Sequence, residues 1–203
     1  MSIQSQIWVK IRRMRRGEPF TAATFHELGS RAARDQALSR LTKVGKIARV
    51  ARGIYARPEQ SEVLGALPVS GVKVAQAIAR AAGVPLMVSG AEAANRLGLS
   101  TQVPSQKIYL TAGSQRTIRL GRAQVFLKRV SPRRVVGAGT EAGVVLSALR
   151  YLGKGGVTEE TVAHLRRYLP EEVQAQLGEY IGQVPAWMTR PLSQISEGQI
   201  SEA

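Results

Sequence analysis

The sequence predicts a mixed α+β chain, with a small helix-and-hairpin unit at the front, an antiparallel meander in the middle and helices at the end. Three observations predict it. Apolar residues recur at helical spacing from Ile3 to Val44 and again from Thr140 onward. Short alternating runs broken by glycine turns fill the stretch from Lys107 to Arg129. At 44% hydrophobic over 203 residues, the chain has the material for real cores, which excludes a disordered tail protein.

Taken in order, Ile3, Ile7, Ile11 and Met14 place an amphipathic helix over Ser2 to Arg15. Its other faces carry Lys10, Arg12, Arg13, Arg15 and Arg16. Gly17 ends it and Glu18-Pro19 opens a turn. Thr21 is placed to N-cap a short second helix through Leu28, stopped by Gly29. Ser30 caps a third helix to about Val44, with Gly45 as its stop. Ala33, Ala37, Leu41 and Val44 share one narrow arc of that helix, which should face the core. Lys46 to Val50 and Ile54 to Arg57 read as two strands around Ala51-Arg52-Gly53, and Pro58 closes the unit. This order over residues 1–58 is that of a winged helix-turn-helix. Arg31, Asp35, Gln36, Ser39 and Lys43 lie off the buried arc, where a helix in the major groove presents side chains to bases and phosphates. Arg49 and Arg52 lie in the hairpin, where a wing touches the backbone or the minor groove.

Residues 59–70 read as a connector, and residues 71–195 as a second, α+β domain. Helical spacing covers Gly71 to Ala82, Val84 to Val88 is a short buried strand, and Ala91 to Leu97 a short helix. Strands follow at Lys107 to Thr111, with Ile108 and Leu110 on one face, then at Thr117 to Leu120 and Gln124 to Arg129. Helices are expected over Thr140 to Leu152, Thr158 to Leu169 and Pro170 to Ile181, with a last piece near Pro185 to Ile195 and a frayed tail over 196–203.

Charge narrows the function. Lys and Arg outnumber Asp and Glu by 29 to 14; residues 1–60 carry a net +9, residues 61–139 another +9, and the remainder −3. A basic body with a mildly acidic end points to a polyanionic partner for the first two-thirds. With no cysteine and only His26 and His164, disulfides, thiol nucleophiles and histidine metal clusters are excluded. No apolar run has membrane-spanning length and the N-terminus lacks a signal-peptide core, so a cytosolic protein is expected. Gly137-Ala138-Gly139-Thr140-Glu141-Ala142-Gly143 superficially matches a dinucleotide fingerprint, but its third glycine is one position late. A loop feeding a Thr140-capped helix explains it more simply. Glu159-Glu160 and Glu171-Glu172 fall in first helical turns, where acids complement the dipole rather than catalyse. Trp8 and Trp187 are expected to pack against cores. The residues offer no acid–base, nucleophile or cofactor set, so a non-enzymatic protein without a cofactor is expected.

Ala37-Leu38-Ser39-Arg40-Leu41, Gly45-Lys46-Ile47 and Ala51-Arg52-Gly53-Ile54-Tyr55 together resemble the N-terminal module of AbiEi-type antitoxins. Ser89-Gly90-Ala91, the block Asn95 to Pro104, Ile108-Tyr109-Leu110-Thr111 and Phe126-Leu127-Lys128-Arg129 resemble that family's second domain, so the similarity covers roughly residues 1–170. The Leu97 to Pro104 block is the specific part; the winged helix is shared with many regulators.

The resemblance implies an antitoxin of a bacterial type IV, phage-defence (abortive-infection) system. Its winged helix would bind double-stranded DNA upstream of its own operon and repress it. Its second domain would counter a nucleotidyltransferase-like toxin without a stable complex. By position, Arg31, Gln36, Ser39, Arg40, Lys43, Arg49 and Arg52 become the DNA-contact candidates. Lys107, Arg116, Arg119, Arg122, Lys128 and Arg129 become a basic surface for DNA, toxin or RNA. Two other readings stand beside it: a plain winged-helix regulator with a ligand- or partner-sensing second domain, and a second domain acting enzymatically on nucleotide, RNA or toxin.

Overall fold

The computed structural model describes residues 1–61, 63 and 65–197. The architecture is mixed α+β, and the chain divides into two compact units, one of Met1–Val84 with Thr117–Val125, the other of Pro85–Arg116 with the chain from Phe126 on.

In the first unit, helix α1 (Ile3–Arg13) is capped by the Ser2 hydroxyl, which accepts the Ser5 N–H. Strand β1 (Pro19–Phe20) follows, then a single 3-10 turn (Ala22–Phe25), helix α2 (Arg31–Lys43), and strands β2 (Ala48–Ala51) and β3 (Ile54–Ala56). The three strands form one antiparallel sheet in the order β1-β3-β2, with Phe20 paired to Tyr55 and Arg49 to Tyr55 from the other side. Helix, strand, short helical turn, helix and hairpin on a three-stranded sheet make a winged helix-turn-helix. Its core is Ile7 and Ile11 of α1, Phe20, Phe25, Ala37, Leu38 and Leu41 of α2, and Ile47. Phe20 meets Phe25 edge-on, ring centroids 5.6 Å apart, and stacks on Tyr55 at 6.3 Å.

Three expectations change here. The stretch read as a turn at Glu18-Pro19 is in part a strand, because Phe20 is drawn into the core beside β3. The second helix shrinks to one 3-10 turn: Phe25 is its only buried residue, and exposed His26 and Glu27 give it no apolar face to extend. Val44, assigned to the buried arc, is 63% exposed, because α2 ends at Lys43 and the core position is taken by Leu38 and, past the Gly45 turn, by Ile47.

Strands β4 (Gln60–Ser61) and β5 (Gly65–Ala66) form a two-stranded antiparallel pair within the stretch read as a connector. Helix α3 (Gly71–Ala82) has the predicted bounds and packs on β1. That contact makes α3 part of the winged-helix unit, so the boundary drawn at residue 71 is not where the molecule divides.

The remaining elements are β6 (Leu86–Val88), α4 (Gly90–Arg96), β7 (Lys107–Thr111), β8 (Arg116–Leu120), β9 (Ala123–Arg129), α5 (Glu141–Gly156), α6 (Glu159–Tyr168), α7 (Glu171–Glu179) and α8 (Ala186–Ser196). The sheet order is β6-β7-β9-β8. Helix α5 runs one turn beyond the predicted end, across a kink at Gly153. Short 3-10 turns lie at Pro132–Val135 and Ile181–Gln183. The expected frayed tail begins inside α8 at Ser196, and positions 198–203 lie outside the described residues.

The core of the second unit gathers Ala93, Ala94 and Leu97, then Val145, Leu146 and Leu149 of α5, with Leu165, Leu177, Met188, Leu192 and Ile195 from the later helices. Helices α4 and α5 meet closely because Gly90 has no side chain: a Cβ there would collide with Tyr151 and the Ser147 carbonyl. Ser147, 4% exposed, donates its hydroxyl to the Val88 carbonyl at 2.9 Å and ties α5 to β6. His164 bonds the Leu97 carbonyl at 2.7 Å, so its free N–H is spent on structure. The glycine-rich loop is also structural, since Thr140 caps α5 and Gly143 leaves room for the Gly137 carbonyl against that helix. Trp187 packs half-buried on the second core, and Trp8 on the first, with the Lys46 ammonium 5.0 Å from the Trp8 ring centre. Among the described residues no helix is long and apolar enough to cross a membrane.

Candidate nucleic-acid interface

Helix α2 is anchored at its N-terminal end before any side chain faces out. The Ser30 hydroxyl accepts the Ala33 N–H at 3.3 Å, and the helix starts on Gly29, whose positive φ of 72° makes the sharp entry. Arg34 holds the turn from the other side, donating from Nη1 to the carbonyls of His26 at 2.9 Å and Gly29 at 2.7 Å. The Lys10–Glu27 ion pair anchors the same turn to α1, and the Lys10 hydrogen bond holds the Glu27 carboxyl below the ordinary range.

With Ala37, Leu38 and Leu41 buried, the rest of the α2 surface presents Arg31, Asp35, Gln36, Ser39, Arg40 and Lys43, every one exposed. Arg31 lies 3.9 Å from Asp35, a spacing of one helical turn in open solvent. On the hairpin that follows, Arg49 and Arg52 are exposed too. All seven sequence-predicted contact residues therefore belong to the winged helix-turn-helix and stand on its surface. A helix with this face offers guanidinium and ammonium groups to phosphates, and an amide and a hydroxyl to base edges. Sequence reasoning missed Arg34; its helical position resembles its neighbours', and only the turn it grips distinguishes it.

The second predicted surface is divided. Arg119 and Arg122 belong to the first unit, whereas Lys107, Arg116, Lys128 and Arg129 belong to the second. Lys107 is committed to an ion pair with Glu92 at 3.3 Å, where Arg96 also binds at 3.0 Å. Burial works against ionising Glu92, but the hydrogen bonds from Arg96 and Lys107 outweigh it and hold the carboxyl below its ordinary range. On β9, Val125 and Leu127 turn inward while Lys128 faces out, the expected strand alternation.

Fold and surface together define a mixed α+β protein with a winged helix-turn-helix at its front and an exposed basic surface on it. The chain belongs to DUF6088, a family of unknown function, whose model matches residues 6–177. Neither the curated proteins nor the solved structures gave a match.

Proposed function

We propose that the protein is a non-enzymatic, cytoplasmic DNA-binding autorepressor and antitoxin of a bacterial type IV phage-defence system, countering a nucleotidyltransferase-like toxin. The observation that carries the DNA-binding part is the sorting of α2: three apolar residues buried, six polar or charged ones exposed. The strongly basic front of the chain supports it, since phosphate neutralisation dominates protein–DNA affinity. The antitoxin part rests on the sequence resemblance, above all on the Leu97 to Pro104 block.

The test is binding of the full chain to duplex DNA from upstream of its own gene, measured from low to physiological salt. About 4–6 phosphate contacts should give a slope of log affinity against log salt of about −4 to −5. A flat response overturns the DNA-binding reading. Co-expression with a nucleotidyltransferase-like gene adjacent on the chromosome tests the antitoxin part: growth rescue is expected, and its failure leaves a plain regulator.

A further inference from the structure

The second unit contains a cavity of about 440 Å³, within the size range of small-molecule sites. One wall is the face of β7 that carries Ile108 and Leu110. Tyr109 and Thr111 of β7 are buried inward, so Ile108 and Leu110, the pair expected on one strand face, line the cavity instead. Lys128 of β9 lines it too. Across from the strands stand Arg150 and the half-exposed Tyr151 of α5, with Arg134 from the 3-10 turn after β9 and the start of α4 at Ser89–Ala91.

The electrostatics of this cavity are one-sided. Lys128, Arg134 and Arg150 all line it, and no carboxylate does so among the described residues. None of the three has an ion pair among the described residues. Arg150 is the least comfortable. Its Nη2 donates to the Arg133 carbonyl at 3.0 Å, but its Nη1 is buried and has no hydrogen-bond partner. Burial pushes this guanidinium down from its ordinary value, and the like charge of Arg134 pushes the same way. A buried cationic donor without a partner is expensive, and a second and third cation nearby raise the cost. An anion in the cavity offsets the like charge of the three cations that line it.

We propose that this cavity binds a small phosphorylated ligand of the nucleoside monophosphate class. Its phosphate is held by Arg150, Arg134 and Lys128, and its base and sugar lie against Ile108, Leu110 and the ring of Tyr151. A phosphate monoester fits better than a carboxylate, because its near-double charge and three oxygens match several donors at once. The apolar walls and the partly exposed tyrosine ring suit a flat, aromatic body, since stacking tolerates any base. Nothing in this inference depends on the DNA-binding reading, which concerns the other unit.

The test is calorimetric titration of the full chain with AMP, GMP, CMP and UMP, with the four matching nucleosides, and with inorganic phosphate. At least one monophosphate should bind, and its nucleoside and inorganic phosphate should each bind at least about tenfold more weakly. Arg134→Ala and Lys128→Ala, both at exposed positions, should each weaken binding several-fold while leaving the thermal melt unchanged. Arg150→Gln should weaken it most; if that variant fails to fold, the two surface variants decide. Operator binding should be unchanged in Arg134→Ala and Arg150→Gln. Absence of binding by every monophosphate up to millimolar concentration overturns the proposal, as does binding indifferent to the variants. Inorganic phosphate binding as tightly as the nucleotides overturns the nucleoside assignment. Loss of binding to a short single-stranded oligonucleotide in the variants, with no mononucleotide bound by the parent, overturns it in favour of a nucleic-acid strand.

Discussion

In the first unit Arg31, Arg40 and Lys43 of α2 and Arg49 and Arg52 of the β2–β3 hairpin are exposed, spaced by helical and strand geometry. In the second unit Lys128, Arg134 and Arg150 converge on a concavity, and one of them is half-buried with a donor unpartnered. Lys128 and Arg134 come from a stretch as basic as the first unit's, and Arg150 from the mildly acidic end. What separates the two sets is curvature and desolvation: a convex basic face suits an extended polyanion at modest cost per charge, whereas a basic hollow is costly unless a compact anion enters it.

The comparison breaks first at the scaffold. Leu38→Ala removes a fully buried side chain beneath the recognition face and should cost about 2–5 kcal/mol of stability, read from chemical denaturation. Nucleotide binding in the second unit should survive wherever the variant stays folded. Next comes the exposed face itself. Gln36→Ala or Ser39→Ala should reduce discrimination between operator and random duplex by roughly 1–3 kcal/mol, measured by competition binding. Arg34→Ala sharpens the same point from beneath: with the turn before α2 released, stability should fall by about 1–3 kcal/mol and operator affinity with it, although Arg34 grips the turn rather than DNA. Smaller again is Arg52→Ala, which should weaken operator and random DNA alike and reduce the salt slope by about 1.

The smallest effect is acid sensitivity. The folded pKa of Glu92 is depressed, so its pairing contributes stability that is present above the ordinary carboxyl value of 4.5 and is lost as pH falls through the lower folded value. Glu92→Gln should flatten that part of the stability profile below pH 4.5, followed by thermal melts.

Elements with a long, regular period were legible before the structure. Gly71–Ala82 and Lys107–Thr111 carry their bounds in their hydrophobic spacing. Strand β1 was not legible, since two residues have no period and are strand only because β3 hydrogen-bonds them. Val44 satisfied the helical arc arithmetic, yet the helix stopped one residue short and Ile47 filled the gap from the turn. The exposed polar surface of α2 was readable because one helix supplies it. The basic hollow was not, because Lys128, Arg134 and Arg150 come from a strand, a turn and a helix, and no spacing rule joins them. Charge counting found the cations but could not say which of them share a neighbourhood.

Gly90 acts as a caliper. The closeness of α4 and α5 depends on one hydrogen where any other residue brings a carbon, and that spacing sets the distance from Ser89 and Ala91 to Arg150 and Tyr151 across the cavity. A single added methyl at residue 90 would prise the two helices apart and carry the far wall away from the near one. The dimensions of the hollow are thus gauged by a residue that contributes no functional group of its own. Its size cannot drift by gradual exchange of one side chain for a slightly larger one, because the first step on that path is already a collision.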